Sequence, residues 1–396
     1  MSEKLTTEVL VVGAGIAGTT VALALARSGA NVVVAERGAV CSGSSGLNAG
    51  GLRQQFTQAT SIEAGKDTIR QMKTFQDDYG IDPSFRQAGY LFLHNGGRHL
   101  ATLERAVATQ NRHGVDTRLI GLEELRELVP GINTDDLEGA AYGPTDGYMD
   151  PNSMVAGYAA GARRAGVKIL QEHPVESIET SGGRVTGVRA GGVSIACDVL
   201  VNAAGAWSPA LAALYGATLP IKARRNQIFV LDQTPAPGRL IPLTIDLVTG
   251  LYFHSEGSGI VSGYAEAPEI PDAPPSIACD WDDLPMLVER LIHRVPKLES
   301  AGVTHGWAGL IETTPDDNPI VGWTHLGNVY TVAGFSGHGM CLAPGLAPHI
   351  AAEIRGATPG LDLDIYRLER LDAGGVEPEG VWGGEGISRG TAEVPA

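Results

Sequence analysis

The chain has 396 residues, 43% of them hydrophobic, and a formal charge of −16 from 29 basic and 45 acidic side chains. That length is more than one core usually fills, so two closely packed domains are expected, with apolar content enough to bury both. The acidic balance argues against a sequence-independent grip on nucleic acid or on an anionic membrane surface.

Glycines interrupt the apolar N-terminus almost at once, which excludes a secretory signal. No run of about 18 apolar residues occurs, so nothing is expected to cross a membrane. Cys41, Cys197, Cys279 and Cys341 lie far apart without CxxC spacing, and the 10 histidines include no HExxH. Reduced thiols, no metal site and a soluble, cytoplasmic protein are the expectation.

The β-branched run EVLVV (8–12) reads as a buried parallel strand, GAGIAG as a turn, and TTVALALARSGA as a helix buried on nearly every side. NVVVAER is a second buried strand, completing a β-α-β unit. Ile62, Ile69, Met72, Phe75 and Tyr79 recur at helical spacing, predicting a helix over 61–80. A strand is expected in 88–94, a polar helix over about 98–113, and a helix after Asp150 with Pro151 in its first turn. A strand at VKIL precedes a hairpin across Ser181-Gly182-Gly183. DVLVNAAGAW (198–207) is another buried strand. From 218 to about 310, alternating patterns and prolines predict a separate antiparallel sheet. The chain then returns to strand, glycine loop and helix, and 374–396, rich in glycine and poor in bulky apolar residues, reads as a loose tail.

Gly13-Ala14-Gly15-Ile16-Ala17-Gly18 matches GxGxxG, follows a predicted strand, opens a helix, and precedes an acidic residue, Glu36, at the end of the next strand. This context predicts a bound dinucleotide. Gly13 makes the turn, Gly15 admits the pyrophosphate to the helix N-terminus, and Gly18 lets helix and strand approach. Glu36 is positioned to accept hydrogen bonds from a ribose. These residues alone do not choose between NAD and FAD.

Four stretches in order, ERGAVCSGSSGLNAGGLRQQF (36–56), DVLVNAAGAWSP (198–209), TTPDDNPIVG (313–322) and GFSGHGM (334–340), resemble the D-amino acid oxidase-like family of FAD enzymes. The sarcosine and glycine oxidase branch is the nearest match. The resemblance spans nearly the whole chain and implies an α/β fold, a Rossmann-type FAD-binding domain interleaved with an antiparallel-sheet substrate domain. The boundaries expected are 1–80, 150–215 and 312–373 for the first, 81–149 and 216–311 for the second.

The resemblance also implies non-covalent FAD, since the position where some sarcosine oxidases tether flavin to a cysteine is Gly309. It implies that Arg37, Ser44 and Ser45 touch the adenosine or pyrophosphate, and that Gly50, Gly51 and Leu52 lie against the isoalloxazine. Val175 reaches the adenine, and Ala204, Gly205 and Trp207 line the FAD path. The late loop, Gly334, Ser336, Gly337, His338, Gly339 and Met340, brings backbone N–H groups to the flavin pyrimidine edge, where negative charge collects on reduction. The activity implied is oxidation of an amine or amino acid at its C–N bond, by hydride transfer to flavin N5 and hydrolysis of the imine. Arg53, Tyr252, His254 and His338 are the candidate catalytic residues. Tyr252 and His254, two apart on a predicted strand, share one face.

Three departures qualify this. Cys341 and Val261 stand where sarcosine oxidases keep lysines, and Ala265 replaces a histidine. A weak reaction with oxygen is therefore expected, with oxygen or another acceptor taking the electrons, and a larger or less acidic substrate than a small N-methyl amino acid, or else one held by Arg53 or Arg225. The alternatives are an FAD-dependent 2-hydroxy acid dehydrogenase, a flavin subunit that needs a partner polypeptide, and an NAD-binding regulatory protein.

Overall fold

The strand Lys4–Val12 forms from the β-branched run and lies at the centre of a parallel sheet, paired with Val32–Ala35 on one side and Val193–Asn202 on the other. The order of this sheet is Ile320–Trp323, Val329–Ala333, Val193–Asn202, Lys4–Val12, Val32–Ala35, Lys168–Leu170, and only the first of these runs antiparallel to its neighbour. The hairpin Val175–Ser181 and Arg184–Ala190 extends it through Val193–Asn202, and Gly182 and Gly183 both take the positive φ its two-residue turn requires. The computed structural model describes residues 4–264, 269–270, 273–274, 277–372, 374 and 378–379.

The helix Ile16–Arg27 is apolar on nearly every side because it is covered twice, by this sheet and by the last helix, Gly339–Ile354. Residues 61–80 are not one helix. Ala59–Met72 ends at Lys73, and a short second helix, Phe75–Tyr79, turns its aromatic rings onto Tyr158 of the helix Pro151–Arg164. The spacing predicted helix correctly, but periodicity does not register a break of two residues. Asp150 caps Pro151–Arg164 through the N–H groups of Asn152 and Ser153, as its place before Pro151 suggests.

A second sheet of nine strands runs Glu269–Ile270, Lys222–Leu231, Gly259–Tyr264, Leu251–Glu256, Leu243–Asp246, Tyr90–His94, Gly139–Gly143, Arg118–Ile120, with Val303–Thr313 also on Lys222–Leu231. It is antiparallel except where Leu243–Asp246 runs parallel to Tyr90–His94. Buried Arg294 ties its two halves together, meeting Asp136 at 2.7 Å and Asp246 at 2.8 Å. A doubly wound parallel sheet beside a largely antiparallel one is the α/β fold expected.

Of the predicted tail, Glu379 is described and is not loose. Its side chain is buried, and Oε1 accepts from the N–H and Oγ–H of Thr57, just before the helix Ala59–Met72. The sequence hides this because the contact spans more than 300 residues.

Candidate functional site

The two glycine-rich loops meet on one elongated cavity of about 430 Å³. At its centre is the first loop. Gly13 has φ +107°, and a Cβ there would meet the Ala203 carbonyl at 2.4 Å. A Cβ at Gly18 would lie 1.9 Å from the Gly13 carbonyl oxygen, so helix and turn pack as closely as the spacing implied. No side chain of its own cap covers the N-terminus of Ile16–Arg27, but Ser45 Oγ accepts from Ile16 N–H at 3.0 Å. Glu36 holds the loop together as well as lining the cavity, its two oxygens accepting from Ala14 N–H at 2.7 Å and Gly38 N–H at 2.8 Å.

One end of the cavity is walled by Arg37, His173, Val175, Glu176, Trp207 and Leu214. The Arg37 guanidinium lies 3.7 Å from the centre of a Trp207 ring, a cation–π contact that fixes both. The lining also includes Asn48, Ile311, Glu312, Phe335, Gly337, Gly339 and Met340. Here the helix Gly339–Ile354 presents its uncapped N-terminus. Glu312 is a carboxyl group in this wall, and burial pushes its pKa up to about 7 although its own N–H and that of Phe335 favour the charged form. Ser44 Oγ, also in the lining, is buried without a hydrogen-bond partner.

Arg53 and His338 come together from opposite ends of the chain, Nη2 of Arg53 donating to His338 Nε2 at 2.9 Å. A guanidinium only donates, so His338 accepts at Nε2 and is a neutral ring with its proton on Nδ1. The cation here is therefore Arg53, which is 2% exposed. Its other hydrogen-bond partner is the Gln55 carbonyl, and Phe56 lies under it at 4.1 Å. Neither partner is a carboxylate.

Tyr252 and His254 do share a face, and that face covers the loop carrying Ala49, Gly50 and Gly51. Tyr252 OH accepts from Asn226 Nδ2 at 2.9 Å. His254 meets the Ala49 carbonyl at 2.7 Å and the Ser255 carbonyl at 2.8 Å, and stacks on Tyr148 at 4.2 Å. His254 thus holds the loop from behind and does not line the cavity. Gly50, Gly51 and Leu52 also stay out of the lining. Gly50 abuts Met149, and Gly51 abuts Leu243 and Tyr90. Ala14, Gly18, Gly334 and Ser336 serve behind the wall, where Gly334 packs on Thr314 and Ser336 N–H bonds the Glu312 carbonyl at 2.8 Å. Arg225 is a correction. It leaves the strand on the opposite face from Asn226 and pairs with Asp280 at 3.1 Å, so it is not free to hold a substrate. Ala265 lies outside the described residues.

A family model described as FAD dependent oxidoreductase (DAO) matches residues 8–353. The chain belongs to that family. It is 30% identical over 413 residues to FAD-dependent oxidoreductase domain-containing protein 1 of Xenopus laevis, covering 92% of this chain and 82% of that protein. It is 28% identical to the mitochondrial sarcosine dehydrogenase of Homo sapiens, covering 92% of this chain but 41% of that one. Among solved structures, L-proline dehydrogenase from P. horikoshii aligns with a TM-score of 0.87 at 30% identity, over 95% of this chain and 100% of that one. Glycine oxidase from Geobacillus kaustophilus, at 22% identity and a TM-score of 0.81 over 92% of this chain and 99% of that one, shares the fold.

This FAD-dependent oxidoreductase carries a cavity that fits its cofactor. Two helix N-termini open on it, suited to anionic groups. The glycine approaches leave backbone bare, and the buried Ser44 hydroxyl awaits a partner. The DAO member shows what the sequence missed: His173, Glu176, Leu214, Glu312 and Phe335 in the lining. Phe335 lies within the quoted GFSGHGM stretch, and no local motif marks the other four. Only Glu312, an acid within an otherwise apolar strand before the TPDD stretch, offered a signal.

Proposed function

We propose that the chain oxidises the C–N bond of an apolar amino or imino acid, whose imine product water then hydrolyses. The observation that carries this is Arg53, a buried guanidinium with no carboxylate among its hydrogen-bond partners. The carboxyls of Asp146 and Glu379 lie near enough to interact with this cation but do not bond to it, and a substrate carboxylate supplies the charge-assisted hydrogen bonds that they do not. When bound, FAD supplies the acceptor for the substrate's electron pair. Arg53 fixes the carboxylate, and through it the orientation of the carbon that reacts. His338, held neutral by Arg53, starts the last helix and keeps the two loops in register. The sheet face of Tyr90, Phe92, Leu243, Ile245, Tyr252 and Val261 excludes water.

The names of the relatives agree with this class, since sarcosine, dimethylglycine and L-proline dehydrogenases all act on amino acids whose nitrogen bears carbon substituents. Non-covalent FAD is part of the reading, because a Cβ at Gly309 would meet the Leu47 carbonyl at 2.8 Å and leaves no room for a tethering cysteine. The test is anaerobic bleaching near 450 nm with primary, secondary and cyclic amino acids, their decarboxylated amines, and 2-hydroxy acids. Amino acids are expected to bleach the chromophore and their decarboxylated analogues to do so poorly. Arg53→Met is expected to cost at least about 100-fold in bleaching efficiency, the loss of a buried charged contact. Bleaching by hydroxy acids alone would overturn the proposal.

A further inference from the structure

Asn226 is a buried polar residue of the substrate sheet whose bonding is left incomplete, as is that of the Nε atoms of its neighbours Arg224 and Arg225. It is 9% exposed, its Nδ2 donates to Tyr252 OH at 2.9 Å, and its Oδ1 has no hydrogen-bond partner. An amide oxygen left so in the interior is destabilising unless a ligand satisfies it. Its neighbours say where it points. Asn226 lies directly opposite Gly309 in the antiparallel pair, so both face the same way. A Cβ at Gly309 would run into Leu47, and Trp307, the next residue on that face, donates from Nε1 to the Leu47 carbonyl at 3.2 Å. Ile311, the next in the other direction, lines the cavity. Asn226 therefore shares its face with Ile311 of the cavity lining, and that face is turned to the segment carrying Leu47.

Gly263 lies on the strand between Asn226 and Tyr252. A Cβ there would meet Tyr252 OH at 2.3 Å, so only glycine lets the tyrosine ring cross that strand to reach the amide. Tyr252 OH in this way takes Asn226 Nδ2 and leaves Oδ1 as the amide atom without a partner. Around them the wall is apolar: Tyr90, Phe92, Ile228, Leu243 and Val261.

We infer that Asn226 Oδ1 accepts the N–H of the substrate amine, and that the chain selects amines bearing at least one N–H on an otherwise apolar body. This rests on the reading above that the substrate is an amine. In that reaction the C–H bond next to nitrogen breaks, and its hydrogen and electron pair pass to FAD. The nitrogen lone pair becomes the second bond of C=N, so nitrogen gains positive charge. Its N–H grows more acidic, and the bond to Oδ1 strengthens toward the transition state, where it accelerates the step. Accepting from N–H also leaves the lone pair free, as the step requires.

Matched pairs test this: L-proline against N-methyl-L-proline, and sarcosine against N,N-dimethylglycine. Each is mixed anaerobically with FAD-loaded wild type, Asn226→Leu and Asn226→Asp, and the bleaching rate and the substrate concentration at half-maximal rate are measured. Wild type is expected to favour the N–H member by at least about 10-fold. Asn226→Leu is expected to lose about 100-fold with that member, in limiting rate more than in apparent affinity, and to lose the preference. Asn226→Asp, which keeps an acceptor oxygen, is expected to retain the preference. Visible spectra and thermal melting show whether each variant holds FAD. If wild type bleaches with amines but treats each pair alike, the inference is overturned whatever the variants do, and so too if Asn226→Leu keeps the preference. If no amine bleaches wild type, the underlying reading fails instead.

Discussion

Val261 and Cys341 occupy the two positions where the resemblance to sarcosine oxidases implies lysines. Val261 is buried in the aromatic wall. Cys341 Sγ lies 3.5 Å from the Gly51 carbonyl, and burial pushes its thiol up to about 11, so it is neutral at physiological pH. Neither residue contributes the local positive field that favours handing an electron to oxygen, which becomes an anion. Reduced enzyme in air-saturated buffer is expected to reoxidise at least about 10-fold more slowly than with a quinone or dye acceptor at the same concentration. Stopped-flow recovery of the 450 nm band measures this, and equal or faster recovery with oxygen would contradict it. Residues of this scale were legible where chemistry is local. Gly13, Gly15, Gly18 and Glu36 fall within one β-α-β unit, and their roles follow from spacing. Arg225 was misread because Asp280 engages it, a pairing across 55 residues that the sequence does not show. Arg53 was singled out by the resemblance and its apolar setting, whereas its partner lies 285 residues away.

The last helix, Gly339–Ile354, carries the late loop's chemistry by where its N-terminus points, and its seat is the helix Ala59–Met72. A Cβ at Gly345 would lie 2.1 Å from the Ala64 carbonyl oxygen, and Gly345 N–H bonds Thr68 Oγ1 at 3.1 Å. The helices touch backbone to backbone. Gly345→Val is expected to force them apart, costing about 1–3 kcal/mol in chemical denaturation. Because the displacement reaches the N-terminus beside the cavity, FAD is also expected to leave faster, read as recovery of its fluorescence on dilution. Wild-type stability and release would show that the helix is not seated this way. Both helices were visible as periodic apolar patterns, and the late glycines as a loop. Their contact was not, since small residues that permit close approach look in sequence like any flexible stretch.

Across the whole molecule, the ends and middle of the chain are joined by a few buried charges. Burial opposes the ionised form of Asp136, yet the Arg294 guanidinium holds it below the ordinary carboxylate range. Other acids go the opposite way. Burial raises Asp146 from 3.8 to about 6 against hydrogen bonds from Gln54 and Gln55, raises Glu312 from 4.5 to about 7, and raises Glu379 as well. For a raised carboxyl, the folded chain keeps a proton that the unfolded chain has already released. Its contribution is therefore whole below the unfolded value and is lost as pH climbs through the folded one. The window for Asp146 closes near pH 6, while that for Glu312 extends to about 7. In FAD-loaded protein at fixed excess FAD, these carboxyls are thus expected to contribute less stability to urea as pH rises from 5 to 7.5, against the opposite contribution of His94, His254 and His349, which burial keeps neutral. Glu312 faces the cavity and is partly screened by water there, which limits its share to about 1 kcal/mol between pH 6 and 7.5. Glu312→Gln cannot release a proton, so its urea midpoint is expected to stay level over that interval while the wild type falls. A variant that falls as steeply as wild type would mean that Glu312 is already ionised at pH 6 and that the cavity wall carries a fixed negative charge.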